Sequence, residues 1–97
     1  MIASFGDRAT EDLYHGRKSK AARRLPAEIG AVTLRKLDMI NAAQALQDLA
    51  SPPGNRLEAL RGDLRGHHSI RVNDQWRLVF RWADGEAHGV RLVDYHR

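Results

Sequence analysis

The run Gln75-Trp76-Arg77-Leu78-Val79-Phe80-Arg81-Trp82 constrains this chain more than any other stretch, because bulky apolar residues recur at every second position, a period that a strand uses and a helix does not. Trp76, Leu78, Phe80 and Trp82 fall on one side of an extended backbone, and Arg77, Val79 and Arg81 on the other. The first side reads as core. Turn chemistry brackets the run. Asn73-Asp74 precedes it and Ala83-Asp84-Gly85 follows it, and Asp-Gly supplies the positive φ that a tight hairpin needs. The stretch from Asn55 to Arg97 therefore reads as a meander of three antiparallel strands at about 67–73, 75–82 and 87–95. The second side of the sheet, with Arg71, Arg77, Arg81 and, register allowing, Arg91, is expected to be open and basic.

Ahead of the sheet the period changes. Met1 to Phe5 alternates and can add an edge strand. Asp7 is placed to cap a helix whose first turns hold Glu11 and Asp12, with Gly16 as its stop and Ala9 and Leu13 as a narrow apolar stripe. Leu25-Pro26-Ala27-Glu28 opens a second helix expected to run to about Ala50, where Ser51-Pro52-Pro53-Gly54 halts it. Ile29, Val32, Met39, Ile40, Ala43 and Leu46 share an arc of about 120° on that helix. Lys36 falls inside the arc and fits only if its stem snorkels. Between the helices, Arg17 to Arg24 holds five cations and no acid. It is either a solvated loop or a surface for nucleic acid or an acidic partner. The fold class is α+β: two N-terminal helices packed on a small twisted antiparallel sheet.

Composition narrows the functional classes. A chain of 97 residues with 42% apolar content forms one domain, 1–97. Without cysteine there is no thiolate nucleophile, thiolate metal site or disulfide framework. No charged leader precedes an apolar run and no window nears the ~18 apolar residues of a membrane span, so a soluble cytoplasmic protein with no membrane partner is expected. The net charge of +4 points to an anionic partner. The bias towards arginine, 13 against 3 lysines, suits bidentate phosphate recognition, although a G+C-rich genome produces the same bias.

Three segments taken together carry a resemblance: Pro53-Gly54-Asn55-Arg56-Leu57-Glu58-Ala59-Leu60-Arg61-Gly62-Asp63, then Ser69 to Phe80, then the terminal Asp94-Tyr95-His96. With Met1-Ile2 and Ser4-Phe5 at the start and Arg24-Leu25-Pro26 ahead of the second helix, the whole chain resembles the HigB toxins of the RelE/ParE superfamily. The resemblance implies a small toxin that cleaves translated mRNA in the A site of the 70S ribosome without a metal or other cofactor. It also implies a HigA-type helix-turn-helix antitoxin, through which operator DNA is bound. By this likeness His96 is the acid or base, Asp94 orients or charge-stabilises it, Tyr95 stacks on a base or positions a phosphate, and Arg77 stabilises the transition state. Arg61, Arg71, Arg81 and Arg56 are the expected RNA or phosphate contacts. The chain departs from some family members in one place: Glu58 and Arg61 stand where they carry a histidine and a lysine, so Arg61 keeps the charge while Glu58 is either the replacement base or an inert residue in a slow enzyme.

Plainer readings stand beside these. Asp94-Tyr95-His96 can be a polar chain end, His67-His68 face opposite ways on a strand and read as structural rather than metal ligands, and Trp76 and Trp82 read as core. Two other function classes remain open. One is a ParE-like toxin acting on DNA gyrase without cleaving RNA, for which a terminal Asp-Tyr-His has no chemical use. The other is a degenerate toxin kept as an antitoxin-binding co-repressor.

Overall fold

The computed structural model describes residues 1–95. Three helices, α1 (Arg8–Tyr14), α2 (Lys20–Arg23) and α3 (Gly30–Ala42), precede a four-stranded sheet of β1 (Glu58–Ala59), β2 (His67–Arg71), β3 (Trp76–Ala83) and β4 (Glu86–Asp94). The strands are antiparallel in the order β1-β2-β3-β4. No helix among the described residues is long and apolar enough to cross a membrane.

Local chemistry explains the helix ends. Asp7 is extended, and its carboxylate accepts from the Thr10 N–H at 2.8 Å, capping α1. Thr10 itself is buried, and its hydroxyl accepts from the Leu92 N–H at 2.9 Å, which fastens α1 to β4. Within Arg17 to Arg24, the Ser19 hydroxyl caps the single helical turn of α2. The long second helix expected to reach Ala50 instead ends at Ala42. Asp48 accepts from the Gln44 and Ala45 N–H groups at 2.9 and 3.1 Å, which draws the chain into a separate 3₁₀ turn, Leu46–Ala50. Leu46 still packs against the core, from this turn rather than from α3.

On α3, Ile29 just ahead of its first turn and then Thr33, Leu37 and Ile40 recur at helical spacing and are buried. Lys36 does not snorkel outward. Its ammonium is hydrogen-bonded to the Asn55 side-chain oxygen, and burial lowers its pKa, with Arg35 and Arg71 adding to the effect. Asn55 is fully buried and donates to the Leu49 and Ser51 carbonyls at 3.2 and 3.4 Å, so it ties α3 to the segment that leads into β1.

The hairpin at Asp84-Gly85 forms as the turn chemistry requires, with Ala83 opposite Glu86 and φ of 54° and 77° at the two turn residues. In β4 the register with β3 shifts between Val79 and Arg81, and Gly89 adopts φ of 63° there, the geometry of a glycine bulge. The N-terminal segment contributes two parallel bridges to β4, Ile2 with Ala87 and Phe5 with Val90, rather than a full edge strand. Ile70, Leu78, Phe80, Val90 and Leu92 meet Leu37, Ile40 and Leu49 to form the core, with Trp76 and Trp82 half-buried at its margin.

The other sheet face is not the open basic surface that alternation suggests. Ser69 and Val79 have no exposure and Arg77 only 6%. Val79 and Leu60 are buried but stand outside the main core cluster, so the middle of this face is closed, with polar surface at its ends.

Candidate active site

At one end of that face, four chain segments surround a cleft of about 400 Å³. The register fixes its centre: Glu58 of β1 lies opposite Ser69 of β2, and Arg71 of β2 opposite Arg77 of β3. Tyr95 follows β4, its N–H held by the Gln75 carbonyl at 2.6 Å. The Asn73 side chain accepts from the Gln75 and Trp76 N–H groups and shapes the loop that forms the near wall, where Arg71 pairs with Asp74.

Arg77 is the floor. Its Nε donates to the Ser69 hydroxyl at 2.8 Å and one Nη donates to the Arg56 carbonyl at 2.6 Å, with a Glu58 carboxylate oxygen 3.4 Å away. Its guanidinium carbon lies 5.6 Å from the centre of the Tyr95 ring, within cation–π range. Arg56 adopts a left-handed backbone, φ 45° and ψ 58°, which costs a non-glycine residue about 1 kcal/mol. Its carbonyl meets the guanidinium from that conformation. A second depression is lined by Glu58, Ala59, Leu60, Arg61 and Tyr95. Glu58 and Tyr95 therefore stand between two adjoining hollows.

The fold thus brings Glu58, Arg77, Tyr95, Arg56 and Arg71 together and sets Arg61 next to them. Two expected residues line neither hollow. Arg81 stands four residues further along β3, about 13 Å at strand rise. Asp94 is in register with Trp76, on the helix-facing row, and accepts from the Gln75 amide at 3.1 Å. His96 lies outside the described residues. Asn73, Asp74 and Gln75 line the cleft although the sequence marks Asn73-Asp74 only as a turn and Gln75 only as the start of a strand, and nothing in their pattern says which way that turn faces. Ser69 and Asn55, both fully buried, entered the sequence reading only as parts of the family pattern, with no role assigned. Their hydrogen bonds hold the arginine floor and the approach to β1. Among the described residues no group of three His, Asp or Glu side chains is placed to hold a metal ion.

Chemically, the arrangement offers a half-exposed carboxylate beside a buried guanidinium, with an aromatic ring above. Such a set can take a proton next to a site that stabilises negative charge.

A chain of the YoeB–YefM complex from Staphylococcus aureus superposes with a TM-score of 0.61 over 100% of this chain and 99% of that one, at 16% identity. The two chains share this fold, an antiparallel sheet with helices packed against it. The profile of the HigB-like toxins, described as RelE-like toxins of type II toxin–antitoxin systems, matches residues 3–96, and the chain belongs to that family. Toxin HigB-1 of Vibrio cholerae is 47% identical over 87 residues, 90% of each chain. A protein of Proteus vulgaris named Endoribonuclease HigB is 32% identical over 71 residues, covering 67% of this chain and 77% of its own.

Proposed function

We propose that this toxin is an endoribonuclease that enters the A site of the 70S ribosome and cleaves translated mRNA in the cytoplasm without a metal. A HigA-type helix-turn-helix antitoxin silences it and carries the complex to operator DNA. The observation that carries this reading is the Arg77 floor, with the Glu58 carboxylate 3.4 Å from its guanidinium and the Tyr95 ring beside it.

The reaction needs only what such a cleft supplies. A base removes the proton from a ribose 2′-hydroxyl, and the oxygen attacks the adjacent phosphorus. The bond to the 5′-oxygen breaks, an acid returns a proton to that oxygen, and the products are a 2′,3′-cyclic phosphate and a 5′-hydroxyl. Glu58 is the base. His96 is the acid, close in sequence to Tyr95 in the cleft wall. Arg77 neutralises the charge that builds on the non-bridging oxygens, and Tyr95 stacks on a base beside the scissile phosphate. Arg56, Arg71 and Arg61 hold the flanking backbone.

Because Arg77 also fastens β3 to Ser69 and Arg56, its removal disturbs the fold, and Glu58 and His96 are the cleaner targets. Induction in a host lacking the antitoxin should produce, within minutes, new in-frame mRNA 5′ ends on translated messages. Glu58→Gln and His96→Ala should reduce them by about 10²–10⁴-fold while remaining folded. Growth arrest with intact mRNA and a DNA-damage response would assign the protein to the gyrase poisons. Absence of arrest would leave only the co-repressor role.

A further inference from the structure

The arginines of the polar sheet face divide by their neighbours. In the cleft, Arg71 is paired with Asp74 and Arg77 with Glu58. Further along the face stand Arg91, opposite Val79, and Arg81, and no described carboxylate lies within ion-pair distance of either. Arg81 is exposed, and the register sets a histidine on each side of it: His67 across on β2 and His88 across on β4. Cross-strand neighbours of this kind lie about 5 Å apart, close enough for three nitrogen-bearing side chains to meet one ligand. His88 Nε2 is within 3.3 Å of the Ala83 carbonyl, which directs its other ring nitrogen elsewhere, and His67 Nδ1 is buried with no hydrogen-bond partner. The stem of Arg91 lies close to Gly6, where even a methyl group would meet its Cδ at 3.2 Å, so this side chain is braced. Glu86, opposite Ala83, closes the far end.

We infer that Arg91 and the His67–Arg81–His88 row form a second anion-binding site, which takes RNA phosphates two to three nucleotides from the scissile one. The inference rests on the nuclease reading and extends its substrate site along the sheet. Arg81 stands about 13 Å from Arg77, and phosphates of an extended single strand are about 6 Å apart, so two steps of backbone span the gap. Arg71 and Arg77 have much of their charge offset by a carboxylate, whereas Arg81 and Arg91, like Arg56 in the cleft and Arg61 beside it, have no described carboxylate within ion-pair distance and so keep their charge for a phosphate.

The test is binding of a fluorescent 12-nucleotide single-stranded RNA to the full chain, by anisotropy over a salt series, without ribosomes. Arg81→Ala/Arg91→Ala should flatten the dependence of log K on log salt by about 0.7 for each phosphate no longer neutralised, and His67→Gln/His88→Gln should weaken binding. Arg23→Ala/Arg24→Ala, in the basic segment ahead of α3, should leave the slope in place. An unchanged slope in the outer-arginine variant, a slope that falls only with the Arg23/Arg24 pair, or no RNA binding by the wild-type chain overturns the inference. Mapping mRNA ends in cells separates the two claims. Cleavage that persists beside an unchanged slope sinks the second site alone. A lowered slope without cleavage by the wild-type protein sinks the nuclease and leaves an RNA-binding track.

Discussion

Asp12 lies on α1 with 1% of its surface exposed, and a carboxylate so placed has to be compensated. The Ser19 hydroxyl holds its carboxyl below the ordinary value of 3.8, against the burial that pushes it up, and Arg17 and Arg8 add to the lowering. Arg17 reaches the carboxylate at 3.3 Å, and its N–H donates to the Asp12 carbonyl at 2.8 Å, so one residue pins the start of the basic segment to α1. A lowered pKa in the folded state means that the ionised form favours folding. This stabilisation is complete above 3.8 and fades as pH falls through the lower folded value. Asp12→Asn should therefore be less stable than wild type at pH 7 and lose less on going to pH 3, as read from urea midpoints at the two pH values. Equal midpoint losses in both proteins would show that the ionised Asp12 does not support the fold.

The N-terminal segment shows how an element can depend on one missing side chain. Gly6 approaches β4 so closely that a Cβ would lie 2.6 Å from the Gly89 carbonyl, a backbone atom that cannot swing aside. The approach allows the ladder in which the Ala87 and Val90 N–H groups donate to Met1 and Ser4, and the Gly6 N–H returns to Val90 at 2.8 Å. Gly6→Ala should lift this segment and cost about 1–3 kcal/mol. Hydrogen exchange should quicken at the Ala87 and Val90 amides and stay slow in the middle of β3. Wild-type protection at both amides would sink the idea. Elements of this chain were legible where a residue acts on its own neighbours, as Asp7 does at the α1 cap and Asp84-Gly85 at the hairpin. They were not legible where a local competitor redirected a sound pattern, as Asp48 does beyond α3. Two-residue β1 is too short to show any alternation, and the bulge at Gly89 leaves no periodic trace.

Across the whole molecule, the candidate site joins segments that are far apart in sequence. Glu58, Arg71, Arg77 and Tyr95 could be named from residue type and likeness, because register then had only to bring together four positions at one end of one face. The burial of Arg77 and the separation of Asp94 and Arg81 from the cleft depend on what covers each end of the sheet, which no strand period encodes. The same two-sided layout separates stability from chemistry. Leu37 is fully buried between α3 and the sheet, on the side opposite the cleft, and truncating such a residue costs about 2–5 kcal/mol out of the ~5–15 that a small domain has. Glu58 has a side chain 41% exposed with one ion pair, so Glu58→Gln opens no cavity and leaves Arg77 its hydrogen bonds to Ser69 and Arg56. Leu37→Ala should lower the urea midpoint markedly and keep its cleavage rate per folded molecule at a temperature where it stays native. Glu58→Gln should do the reverse, holding the midpoint and losing cleavage. If folded Leu37→Ala fails to cleave, the helix layer helps set the geometry of the cleft, and the two faces of the sheet do not act independently.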